Sequence, residues 1–200
     1  MKANSKRLSR AARKTERLRK ERTSQILKVI AGVAVLAVVL FLVLARTGQQ
    51  GKSAGTIQGV QAFPNQERGH TDGPVKYDQI PPVGGVHSAA WQNCGVYTQP
   101  VPNENAVHSL EHGAVWITYQ PGLPQDELKK LQELTRQSGY RLLSPYPDLP
   151  SPIVLSAWGY QLKVDNADDP RIQQFLKKYE QNPQGPEPGA SCSGGVGQPG

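Results

Sequence analysis

The 200-residue chain predicts an α/β (α+β) fold: an N-terminal single transmembrane helix followed by a small two-layer extracytoplasmic domain with Pro/Gly-rich loops. Three observations carry this expectation. Residues 26–45 form an apolar run interrupted only by Lys28, residues 114–179 read as strand, helix, strand, strand, helix, and all seventeen prolines fall after position 63.

The first 25 residues read as a basic cytoplasmic tail. They hold ten Lys/Arg against Glu16 and Glu21, so the net +7 of the whole chain is concentrated there and the remaining 175 residues sum to −1. A body with no basic excess has no groove for tracking phosphates, which argues against nucleic acid as a partner. Residues 26–45, ILKVIAGVAVLAVVLFLVLA, are expected to form the transmembrane helix. At 1.5 Å per residue, about twenty residues span the roughly 30 Å of a hydrocarbon core. Lys28 sits near enough to the end to snorkel into the headgroups. Ten basic residues before the span against Arg46 and Lys52 just after it keep the N-terminus cytoplasmic at the plasma membrane. Val43-Leu44-Ala45 offers a passable signal-peptidase site, but the charged leader and apolar run exceed the usual signal-peptide dimensions, which favours an uncleaved anchor. Membrane lipids are thus the expected partners of the helix and of the basic tail. No protein partner is indicated.

Residues 46–66, with Gly48, Gly51, Gly55 and Gly59 and few apolar side chains, read as a flexible linker. Residues 67–181 supply one extracytoplasmic domain, and residues 182–200, with four prolines and six glycines, an irregular tail carrying Cys192. Ala114–Tyr119 is β-branched and aromatic and ends at Pro121-Gly122, so it predicts a strand. Gln125–Ser138 places Leu128, Leu131 and Leu134 on one helical face, with Asp126 and Glu127 in the first turn and Gly139 beyond the end. Tyr140–Ser144, Ile153–Trp158 and Tyr160–Val164 read as further strands. Asp169 is a good N-cap with Pro170 at the first helical position, and Ile172, Phe175, Leu176 and Tyr179 make the stripe that docks a helix on a sheet.

Four histidines, His70, His87, His108 and His112, fall within 43 residues. His108-Ser-Leu-Glu111-His112 matches the H-x-x-E-H pattern of inverzincin metallopeptidases. On a helix ending at Gly113 and capped by Asn103 or Asn105, the two histidines would lie about 6 Å apart on one face, within reach of one Zn²⁺. Glu111 would then act on a metal-bound water. On a strand they would be about 13 Å apart and no ion could be shared. No third histidine follows downstream, which weighs against a hydrolase, and no residue is assigned a catalytic role. A non-catalytic site is the alternative: His87, His108 and His112, with His70 or Glu111, are a nitrogen-rich set suited to Zn²⁺ or Cu²⁺. The only methionine is Met1, which excludes thioether binding of Cu(I) in the outer domain. The third reading is structural, with histidines hydrogen-bonded to lock loops together.

Cys94 and Cys192 are the only cysteines, both on the oxidising side, and predict a disulfide closing about 100 residues. Trp91, Trp116 and Trp158, with Tyr77, Tyr97 and Tyr146, are either a binding platform or packing.

Several motifs in order carry a resemblance: Ile80-Pro81-Pro82-Val-Gly84-Gly85-Val-His87, Trp91-Gln-Asn-Cys94-Gly95, Glu104-Asn-Ala-Val107-His108-Ser-Leu-Glu111-His112-Gly113, Ala157-Trp158-Gly159, and Pro186-Glu187-Pro188-Gly189-Ala190-Ser-Cys192. Over about residues 68–196 the chain resembles the bacterial domain-of-unknown-function 3105 family. The resemblance implies a membrane-anchored protein. It assigns no activity and no catalytic residue, although His108, Glu111 and His112 fall on the most recognisable of its motifs.

Overall fold

The computed structural model describes residues 56–183 and 185–200. The basic tail expected over 1–25 and the transmembrane helix expected over 26–45 lie outside the described residues. Among the described residues, no helix is long and apolar enough to cross a membrane.

Six strands form one mixed sheet: β1 (Val60–Ala62), β2 (Gly95–Val96), β3 (Val115–Tyr119), β4 (Arg141–Pro145), β5 (Ile153–Ala157) and β6 (Tyr160–Val164). Their spatial order is β1-β6-β5-β3-β4-β2. β2, β4 and β3 run parallel, and β5, β6 and β1 add antiparallel neighbours. Among the described residues there are three helices: α1 (Asn103–Glu111), α2 (Gln125–Arg136) and α3 (Pro170–Tyr179). α2 is the crossover between parallel β3 and β4. β5 and β6 form a hairpin through Trp158-Gly159, where Gly159 takes a φ of 74° that favours glycine.

The period-2 alternation of β3 divides the core. Val115, Ile117 and Tyr119 pack with Leu143, Leu155 and Leu162 against Leu131 and Leu134 of α2 and Ile172, Phe175 and Leu176 of α3. Trp116 points to the opposite face and packs with Leu142, Tyr97, and Ala106 and Leu110 of α1. Helices therefore cover both faces, where the sequence predicts two layers. The layer the prediction lacks is α1: its segment NENAVHSLE has too few apolar residues to advertise a packing stripe, yet residues 106–111 are all buried. At α3 the expected start is observed. The Asp169 carboxylate accepts a 2.9 Å bond from the Arg171 backbone N–H, with Pro170 first in the helix.

The expected linker 46–66 also needs correction over its described part. Ile57 is buried in the main core and β1 pairs in register with β6, so the folded domain begins at least ten residues before position 67. Three residues at a sheet edge carry too short a pattern to read in isolation; pairing with β6 defines them. The described residues of the 182–200 segment form no helix or named strand, but they are tied down at several points. Cys192 is buried and disulfide-bonded to Cys94, with Cα atoms 5.4 Å apart. Cys94 N–H donates to Cys192 O (2.8 Å), and Val196 N–H to Trp91 O (2.9 Å).

Candidate metal centre

Helix α1 supplies two of the polar side chains that meet at one point. It starts after Pro102, so Asn103 is its first residue and makes no capping bond. Asn105 instead donates its side-chain N–H to Ala90 O (2.6 Å). His108 and Glu111, three apart, share a face of the helix. The helix ends with His112 as C-cap and Gly113 at φ 97°. A side chain at Gly113 would meet the Gln181 backbone at 2.9 Å, so both conformation and space require glycine.

The loop 85–92 lies along α1. Ser88 N–H donates to Glu104 O, Gln92 N–H to Asn105 O, and Ser109 Oγ to Gln92 O (2.7 Å). This places His87 over the helix, where its Nε2 is 2.9 Å from Glu111 Oε2. His87 in turn brings in His70: His87 N–H donates to Gly69 O and Thr71 N–H to His87 O, a short parallel bridge between two loops. One ligand atom from each of His70, His87, His108 and Glu111 lies within 4.8 Å of all the others. His87, His108 and Glu111 are buried and His70 is exposed. The imidazole centroids of His70, His87 and His108 are 4.9–5.1 Å apart.

The backbone sets the protonation pattern. His87 Nδ1 lies 2.8 Å from Gly85 O and His108 Nδ1 lies 2.7 Å from Ser88 O. A carbonyl only accepts, so each Nδ1 carries a proton and a neutral ring presents the Nε2 lone pair. This is the arrangement by which a second shell orients metal-ligating histidines. Burial lowers the His108 pKa below its ordinary value, and repulsion from His112 and His87 adds to that; the hydrogen bond to Ser88 and the Glu111 carboxylate oppose it. The shift favours the neutral ring, the form in which an imidazole can ligate a metal. At His87 the Nε2 lone pair and the Glu111 carboxylate are both acceptors 2.9 Å apart. A proton or a cation has to sit between them.

Of the five residues expected to ligate, the structure thus converges four. His112 is the exception. It lies beside His108 on the helix, with ring centroids 4.5 Å apart, but its Nδ1 donates to Ser191 O (2.6 Å) and its Nε2 faces Glu187 at 3.8 Å. The pairing of His108 with His112 that the H-x-x-E-H pattern predicts is replaced by His108 with His87 and His70, because the disulfide-held tail captures the second imidazole. The tail also closes the helix end: Glu187 N–H donates to Glu111 O and Gly189 N–H to His112 O, satisfying carbonyls that α1 leaves without partners.

The tryptophans do not form a shared platform. Trp116 is core and donates Nε1–H to Ser144 Oγ (3.0 Å). Trp158 packs edge-on to His87, and Trp91 lies against His108 and His112. These two rings wall the histidines, a role with no local signal in the sequence. The three carbonyls that orient the imidazoles are equally invisible there, since any residue type supplies one.

Comparison with known families finds a match. The model of the family described as "Protein of unknown function (DUF3105)" matches residues 70–194, a span that contains the four converging side chains and both cysteines. No curated protein and no solved structure matches the chain. With well over half of its length covered by that family model, the chain belongs to the DUF3105 family.

Proposed function

We propose that the domain binds a single transition-metal ion, Zn²⁺ or Cu²⁺, through His70, His87, His108 and Glu111, as a non-catalytic module held outside the plasma membrane by the apolar segment 26–45. The observation that carries this reading is the convergence of four donors from three separate segments within 4.8 Å, two of the imidazoles being turned Nε2-inward by backbone carbonyls. Three imidazoles and one carboxylate suit Zn²⁺ and Cu²⁺. Four protein donors also fill a tetrahedron, which favours binding over hydrolysis. Glu111 belongs to the donor set and already faces His87, so it does not stand apart as the base a hydrolase would need. The wider setting, with lipid around residues 26–45 and at the basic tail 1–25, rests on hydropathy and charge.

The test is metal content of the full chain, purified without a polyhistidine tag, stripped with chelator and dialysed against Zn²⁺ or Cu²⁺. The expected result is about one ion per chain, lost in His108→Ala. A wild-type protein that retains no metal above the dialysis buffer would overturn the proposal.

A further inference from the structure

We infer that His70 is the exchangeable ligand of this centre, the position at which an external nitrogen donor replaces a protein imidazole as the ion enters and leaves. The inference rests on the proposed metal reading and adds a path to it. The four donors are unequal. His87, His108 and Glu111 have 0%, 6% and 6% of their surface exposed, whereas His70 is exposed. The buried three are each held by a partner: His87 by Gly85 O, His108 by Ser88 O, and Glu111 by His87. Among the described residues, the His70 ring makes no hydrogen bond; it stacks nearly parallel on His108, with centroids 5.1 Å apart and planes 15° apart, and touches His87 edge-on.

Its backbone is similarly lightly held. Gly69 and Thr71 bond to His87 on either side of it, yet residues 67–70 and 72–74 are exposed, and a side chain built at Gly69 would meet nothing within 4 Å. His70 therefore covers a pre-formed three-donor face from the solvent side. Outer-shell hydrogen bonds fix the orientation and basicity of ligating histidines, and losing one typically costs about 10–100-fold in affinity. The one imidazole without such a bond is the weakest-held donor. In the exchange, the metal–nitrogen bond to His70 breaks as a bond to an incoming imidazole forms. One imidazole nitrogen replaces another at the ion, so the ligand charge is unchanged and no electron is transferred.

The experiment is chemical complementation of the full chain with Zn²⁺, comparing wild type, His70→Ala and His108→Ala with and without millimolar imidazole. Titration against a chromophoric chelator gives the affinities, and tryptophan fluorescence checks the fold. His70→Ala is expected to bind about 10–100-fold more weakly and to regain most of that affinity with imidazole, which reaches the exposed position from solvent. His108→Ala is expected to lose binding and not to be restored, because its position is sealed. Wild-type affinity in His70→Ala, or a loss that imidazole does not repair, would overturn the inference while leaving the metal centre standing. Absence of binding by the wild type would instead remove the centre itself.

Discussion

Replacing Cys94 and Cys192 together by serine is expected to lower the unfolding free energy of the domain by about 3–5 kcal/mol. The cysteines are 98 residues apart, so the bridge closes one loop that holds β2 to β6 and helices α1 to α3. In the chain-entropy model a loop of that size removes unfolded-state freedom worth nominally about 4.7 kcal/mol. The native side of the balance points the same way. Among its described residues the tail has no helix or named strand, and apart from the bridge it is attached by hydrogen bonds to Trp91, Asn93, Cys94, Glu111 and His112. Loss of the bridge also weakens the hold of Ser191 on His112 and of residues 187–189 on the end of α1. Denaturant unfolding followed by tryptophan fluorescence measures the change, since all three tryptophans lie in the domain. The double variant should unfold at a lower midpoint, with a steeper denaturant dependence because its unfolded chain is more expanded. A loss below about 1 kcal/mol would mean that the tail is held by its other contacts and that the bridge is incidental.

Glu111 carries the second large effect, and two substitutions divide it into parts. Glu111→Ala leaves His87, buried completely, without the hydrogen-bond partner of its Nε2. An unsatisfied buried group costs about 1–3 kcal/mol, so the metal-free protein is expected to be destabilised by that amount. The variant also lacks the only anionic donor of the centre, and its Zn²⁺ affinity is expected to fall at least about 100-fold. Glu111→Gln behaves differently. Its amide N–H donates to the His87 Nε2 lone pair while His87 Nδ1–H still donates to Gly85 O, so metal-free stability should stay within about 1 kcal/mol of wild type. Its metal affinity should nevertheless drop as far as that of the alanine variant, because a neutral amide is a poor donor to Zn²⁺. Calorimetric titration and denaturant unfolding of the two variants together check this. Wild-type Zn²⁺ affinity in Glu111→Gln would assign the carboxylate to architecture alone.

The parts of the fold that were legible in the sequence are those where a pattern is long enough to repeat. VWITY and IVLSA are buried throughout, and the stripe of Ile172, Phe175, Leu176 and Tyr179 docks α3 as its spacing indicates. β1 and β2 are three and two residues long, and they exist because β6 and β4 offer edges to pair with. α1 escaped the apolar patterning because much of its buried face is polar. Burial of His108, Ser109 and Glu111 becomes affordable only when loop 85–92 supplies the partners. The same reasoning applies to the site. A cluster of histidines within a short stretch is visible at once, but which of them converge is decided by contacts distant in sequence. The bridge from Gly69–Thr71 to His87 recruits His70, and Ser191, 79 residues from His112, takes that imidazole away.

The most direct test of the metal centre is X-ray absorption at the zinc edge on the full chain loaded with one equivalent of Zn²⁺. The proposal predicts a four-coordinate nitrogen and oxygen shell at about 2.0–2.1 Å, with outer-shell scattering from three imidazoles and no sulfur at about 2.3 Å. His70→Ala should lower the imidazole count to two. A spectrum of hydrated Zn²⁺ without imidazole scattering, or one that is unchanged in both His87→Ala and His108→Ala, would contradict a centre built from His70, His87, His108 and Glu111.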